Sequence, residues 1–119
     1  METKGNATRL RIYFSSTDKA EHQLLSERLV TLAHDQQLAG VTVLKGILGF
    51  GASSVIHSYK FWEVSDKVPV IVELVDDDTK ISGFVETIQP LLDSMRYGCL
   101  MTREQVQVIL YKSGNRKTP

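Results

Sequence analysis

Cysteine is almost missing. Cys99 stands alone among 119 residues, so no internal disulfide can form. It has no partner at metal-ligand spacing, and its place in an apolar stretch fits a small buried hydrophobe on a strand. An excess of charge is missing too. Fourteen Lys and Arg balance fourteen Asp and Glu, which argues against general binding to nucleic acid or to a membrane surface. No apolar run approaches the roughly 18 residues of a membrane span. The opening METKGNATRLRIYF lacks the apolar stretch of a signal peptide. A cytoplasmic, uninserted protein is the default expectation. Repeats, linkers and low-complexity segments are also lacking, and the length suits one domain.

What is present shows two periods. Residues 8–14, TRLRIYF, set Leu10, Ile12 and Phe14 against Arg9, Arg11 and Tyr13, as a half-buried strand does. Asp18 and Glu21 have capping-box spacing. Leu24, Leu25, Leu29, Leu32 and Ala33 form a helical stripe, and Gly40 fits a C′ glycine. A helix over residues 19–38 is predicted. VTVLKGIL (41–48) reads as a second strand and VPVIVELV (68–75) as a third. Asp76, Asp77 and Asp78 then cap a helix over 79–95, whose stripe is Ile81, Phe84, Val85, Ile88, Leu91, Leu92 and Met95. Pro90 is expected to kink or divide it. CLMT (99–102) reads as a short extended piece and VQVILY (106–111) as the last strand. Residues 1–7 and the basic tail 112–119 are expected to be loose around a domain at 8–111.

The order β-α-β-β-α-β is that of an α+β, ferredoxin-like sandwich. Its four-stranded antiparallel sheet carries two helices on one face, and a long loop joins strands two and three. On the third strand both alternating sets, Val68–Val70–Val72–Leu74 and Pro69–Ile71–Glu73–Val75, are mostly apolar. The face without helices therefore needs a cover, and the simplest is another copy of the chain.

Residues 46–57, GILGFGASSVIH, concentrate glycine. Locally this reads as a turn or flexible arm. It has neither the spacing and following helix of a dinucleotide fingerprint nor the Lys-Ser/Thr ending of a Walker loop. About twenty residues separate the second strand from Val68, far beyond an ordinary hairpin loop. Ile47, Leu48, Phe50, Val55, Ile56, Tyr59, Phe61 and Trp62 make the loop oily, which suits contact with a neighbouring subunit or a partner. Phe61 and Trp62 read equally as an anchor or as core. A phosphate here would meet backbone N–H groups around Gly49–Ala52, the hydroxyls of Ser53 and Ser54, and Lys45. His57 would add a donor or else satisfy a buried backbone group. His22 and His34, on the exposed side of the first helix, lack a metal-binding pattern.

The layout, with Lys45-Gly46 leading into the loop, resembles the PII signal-transduction proteins. The run VTVLKGILGFGASSVIH, followed by PVIVELVD and VQVILY, is more similar still to a PII-like family, domain-of-unknown-function family 190. The shared signature falls on Gly46, Gly49, Phe50, Gly51, Ser53, Ser54, Ile56 and His57. The resemblance implies a homotrimer without enzymatic activity or required cofactor. An adenine nucleotide or similar small anion would sit as effector in clefts between subunits. The loop 46–66, with Tyr59, Phe61 and Trp62, would touch a target protein such as a membrane transporter or an enzyme. The chain departs from PII where a second glycine-rich element would stand: RYGCLMT keeps Gly98 and has no lysine. The basic pair after the last PII strand is reduced to Lys112, with Arg116 nearby.

Two other classes compete. LGFG superficially resembles an RNA-binding motif, but it sits in a loop and the chain is neutral. A small ligand-hydrolysing enzyme would need a base, nucleophile or metal set, and no such grouping stands out.

Overall fold

The computed structural model describes residues 1, 5–51, 57, 58 and 67–114, with 57 and 58 described as backbone alone. Its main strands are β1 (Gly5–Ser15), β2 (Thr42–Lys45), β3 (Pro69–Asp76) and β4 (Leu100–Val108). Its helices are α1 (Leu25–Asp35) and α2 (Asp78–Asp93). The sheet runs β2-β3-β1-β4 and every pairing is antiparallel, giving the ferredoxin-like order.

Alternation decides the faces. Leu10, Ile12 and Phe14 of β1 join Val70, Val72 and Leu74 of β3 in one buried cluster. Leu25, Leu29 and Ala33 of α1 and Ile81, Phe84, Ile88 and Leu92 of α2 complete it. Each helix thus buries the stripe its spacing predicts.

Between β1 and α1 the structure differs from the sequence reading. Residues 19–24 form a small hairpin, with Lys19 paired to Leu24 and Ala20 to Gln23. Its two-residue turn is Glu21-His22, both at positive φ (54° and 68°), as a type I′ turn requires. Asp18 is not the N-cap residue, which is Leu24: its carboxylate accepts the Ser15 amide, and its carbonyl accepts the Leu25 amide at the start of α1. His22 is accordingly at the hairpin tip and His34 on exposed α1.

The C-terminus of α1 also stops early. Gln37 takes φ 60°, its amide donates to the His34 carbonyl, and the Leu38 amide donates to the Ala33 carbonyl. This is a Schellman ending with glutamine, instead of Gly40, in the left-handed position. Lys80 donates to the Gln36 and Gln37 carbonyls and complements that helix end. A non-glycine residue in this conformation costs about 1–2 kcal/mol. Gln37→Gly should therefore stabilise by about 0.5–1 kcal/mol after glycine's larger unfolded-state entropy is counted. Thermal melts should show Tm a few degrees higher; an unchanged or lower Tm contradicts the assignment.

Pro90 does not divide α2, which runs on to Asp93, and the Pro90 carbonyl accepts the Ser94 amide. The three aspartates have separate roles. Asp77 is the N-cap residue, with no side-chain cap bond. Asp78 accepts from Thr8 and from Arg103. Asp76 is fully buried; its carboxylate accepts the Ala39 amide at 2.8 Å and the Asp77 amide at 2.7 Å, with the Met1 amine 3.3 Å away.

The predicted extended piece and last strand are one strand, β4. Its polar middle, Thr102–Gln105, pairs with Thr8–Arg11. The strand ends at Val108, leaving Ile109 and Leu110 exposed beyond it. Cys99 precedes β4 and is exposed, contrary to the buried strand position predicted, because β4 begins one residue later at a sheet edge. Partial desolvation and, secondarily, Asp93 and Asp18 push its thiol pKa up.

Candidate functional site

β1, β2 and β3 meet at one end of the sheet, where the long connection departs. The Gly46 amide donates to the Pro69 carbonyl at 2.7 Å, and the Ser16 amide to the Val68 carbonyl at 2.9 Å. The Ser16 hydroxyl in turn accepts the Val68 amide. Leu48 and Gly49 pair with Ser58 and His57 in a short separate ladder. Gly49 lies against the ring of Pro69: a Cβ there would stand 3.1 Å from Pro69 Cγ. Part of the glycine enrichment thus has a packing cause, close backbone approach to a proline.

At this end lies an open cleft of about 640 Å³, lined by ten of the described residues. Among the described lining residues Lys45 is the cation, and Ser16, Thr17 and Ser26 bring hydroxyls. Leu24, Val43, Val68 and Val70 are among its apolar walls. Lys45 and Gly46, predicted as ligand residues, both line it. Gly49 is at the adjoining ladder, Phe50 is exposed, and Gly51 has open space around its Cα. His57 is placed as backbone alone, and Lys112 is exposed in the segment after β4. Ser53, Ser54, Ile56, Tyr59, Phe61, Trp62 and Arg116 lie outside the described residues. Ser16, Thr17, Ser26 and Leu24 were not anticipated. The signal was SSTD at the end of β1, a hydroxyl cluster where the chain turns toward a helix.

The sheet face away from the helices is the second feature. Leu100, Tyr13, Ile71 and Leu44 form an apolar row across all four strands. Leu44 and Leu100 are 45% and 57% exposed, so the row is open. Beside it the face is not apolar as predicted, because Arg9, Arg11, Glu73 and Glu104 form a charged band. Arg11 Nε donates to Glu73 at 2.7 Å, Arg9 pairs with Glu104, and Arg11 Nη1 stands 3.9 Å from the same Glu104. The Arg9 hydrogen bond, more than any other influence, holds the Glu104 carboxyl below its ordinary value. The Glu73 hydrogen bond likewise raises the Arg11 guanidinium. The four charges cancel within one chain.

Among the described residues no His, Cys, Asp and Glu are grouped to hold a metal, and no helix is long and apolar enough to cross a membrane.

The profile of the DUF190 family, described as an uncharacterized ACR, matches residues 7–108. A UPF0166 protein of Aquifex aeolicus (strain VF5) is 32% identical over 100 residues, 84% of this chain and 90% of its own length. UPF0166 protein MJ1524 of Methanocaldococcus jannaschii is 33% identical over 73 residues, 61% of this chain and 67% of its own. Among solved structures, CPII of Thiomonas intermedia K12 is a nitrogen regulatory PII-like protein bound to ADP, AMP and bicarbonate. It aligns with TM-score 0.62 at 13% identity, over 88% of this chain and 92% of its own. TTHA0516 of Thermus thermophilus, a candidate PII-like signalling protein, aligns with TM-score 0.65 at 15% identity, over 88% and 91%. At these identities the likeness to CPII and TTHA0516 is one of fold.

Proposed function

The chain belongs to the DUF190 family, and from that premise we propose that it is a PII-like regulatory protein which binds an adenine nucleotide at the root of its β2–β3 loop. The observation that carries this reading is the cleft of about 640 Å³ where Lys45, Gly46 and the Ser16, Thr17 and Ser26 hydroxyls converge beside an apolar wall. CPII, which shares the fold, binds ADP and AMP, and this supports the choice of ligand. Among the described residues no carboxylate or histidine lines the cleft, which favours binding over catalysis.

The functional unit is a homotrimer, with each cleft completed by the next subunit. The open row Leu100–Tyr13–Ile71–Leu44 is the surface it covers. The ligand acts as an effector: it orders the loop 46–66, and the loop, through Tyr59, Phe61 and Trp62, engages a transporter or an enzyme in the cytoplasm. Gly51, Ser53, Ser54 and His57 add phosphate contacts from the loop, and Lys112 adds charge.

Binding to the folded state must stabilise it by mass action, about 2.7 kcal/mol at a concentration near 100 Kd. A thermal melt with AMP, ADP or ATP should therefore rise by several degrees, and Lys45→Ala should shrink the rise. A melt unmoved by all three nucleotides refutes the reading.

A further inference from the structure

We infer that residues 109–111 of one copy add as a strand to the outer edge of β2 in the next copy. The inference rests on the assembly proposed above and deepens it by naming the segments that join.

Ile109, Leu110 and Tyr111 continue the strand-forming run VQVILY, yet β4 stops at Val108. The reason lies in its neighbour. Val108 pairs with Gly5, where β1 begins, so among the described residues no β1 residue stands opposite Ile109. Ile109 and Leu110 are consequently 75% and 70% exposed. Consecutive residues of a strand point to opposite faces, so this segment needs apolar cover on both sides.

β2 presents the matching lack. Among the described residues it pairs with β3 alone, and its other edge is open. Val43 stands opposite Val72 on the helix side and Leu44 opposite Ile71 on the helix-free side, and they remain 40% and 45% exposed. A strand added at this edge would satisfy open backbone groups and cover an apolar side chain on each face. Edges that avoid pairing carry charge, as β4 does at Arg103 and Glu104, whereas β2 is charged at its last residue only, Lys45.

The chain cannot make this contact with itself. β3 and β1 lie between β2 and β4, which sets the two edge strands about 14 Å apart. The register carries Thr42 through Glu73 and Arg11 to Thr102, and Thr102 is about 24 Å along the strand from Ile109. The acceptor edge therefore belongs to another copy. Donor and acceptor are different segments, so the contact runs head to tail and a ring is what closes it. Leu44 also ends the open apolar row, so the added strand is continuous with the face that the next copy covers.

Disulfide trapping in the full chain with Cys99→Ser tests this. Leu110→Cys is combined in turn with Thr42→Cys, Val43→Cys and Leu44→Cys, because cross-strand neighbours stand within disulfide reach. At least one combination should give covalent species of two and three chains on a non-reducing gel. Leu110→Pro, which removes a ladder N–H, should weaken association roughly tenfold or more and leave the circular dichroism unchanged, since Leu110 lies outside its own sheet. Three assembled chains that form no link in any combination overturn the inference and leave the assembly reading standing. So does association unmoved by Leu110→Pro, or a Leu110→Cys thiol that reacts with a maleimide in the assembly as fast as in urea, the mark of a segment left open to a different protein. A solitary chain at every concentration removes both together.

Discussion

Ile71→Glu is expected to break the protein into single chains. Ile71 stands between Tyr13 and Leu44 in the middle of the apolar row on the helix-free face. In the proposed assembly it is covered, and among the described residues a carboxylate there finds no free cation beside it, because Arg11 is already held by Glu73 and Glu104. Leaving a charge buried and unpaired costs about 3–5 kcal/mol. Each subunit contact would weaken by a hundredfold or more, since about 1.4 kcal/mol is a factor of ten. The fold itself should survive, because the core cluster lies on the other face, with Val70 and Val72. Light scattering should give the mass of one chain, with the circular dichroism of the parent. A variant with the parent's assembled mass contradicts this placement of the interface. The charged band beside the row need not resist coverage. Its four members satisfy one another within a subunit, so assembly buries pairs and not bare charges.

Asp76→Ala is expected to give the largest loss of stability of any single change away from the apolar core. The carboxylate is fully buried at the end of β3 and accepts one amide from the segment after α1 and one from the start of α2. Alanine leaves both amides without an acceptor in a closed site. Each such loss costs about 1–3 kcal/mol, more when the acceptor is charged, for a total of about 3–5 kcal/mol. Tm should fall by more than about 10 °C. Asp76→Asn keeps one carbonyl acceptor and should lose less. A fall of only a degree or two with alanine contradicts the assigned role.

Much of the fold is legible because it depends on periodicity. The alternation of Leu10, Ile12 and Phe14 and the stripe Ile81–Phe84–Ile88–Leu92 report directly which side meets the core. What stayed hidden depends on residues acting against type. A type I′ turn is ordinarily signalled by Asn-Gly, and Glu21-His22 gives no such sign, so a hairpin passed for the first turn of a helix. Gln37 does what a glycine usually does, which made Gly40 look like the stop. The polar run Arg103–Gln105 looked like a break between strands. On an edge strand such residues find partners in neighbouring elements, as Glu104 does in Arg9 of β1 and Arg103 in Asp78 of α2. At the site, Lys45 and Gly46 are contiguous with the glycine stretch, and both line the cleft. Ser16, Thr17 and Ser26 reach the same cleft through tertiary packing of three segments, which spacing does not encode.

In the proposed assembly, copies of this chain cover the helix-free sheet face and complete the cleft. Sedimentation equilibrium of the full chain without nucleotide tests it most directly. The predicted result is one species of three chains, stable on dilution. A single chain at every concentration would contradict it.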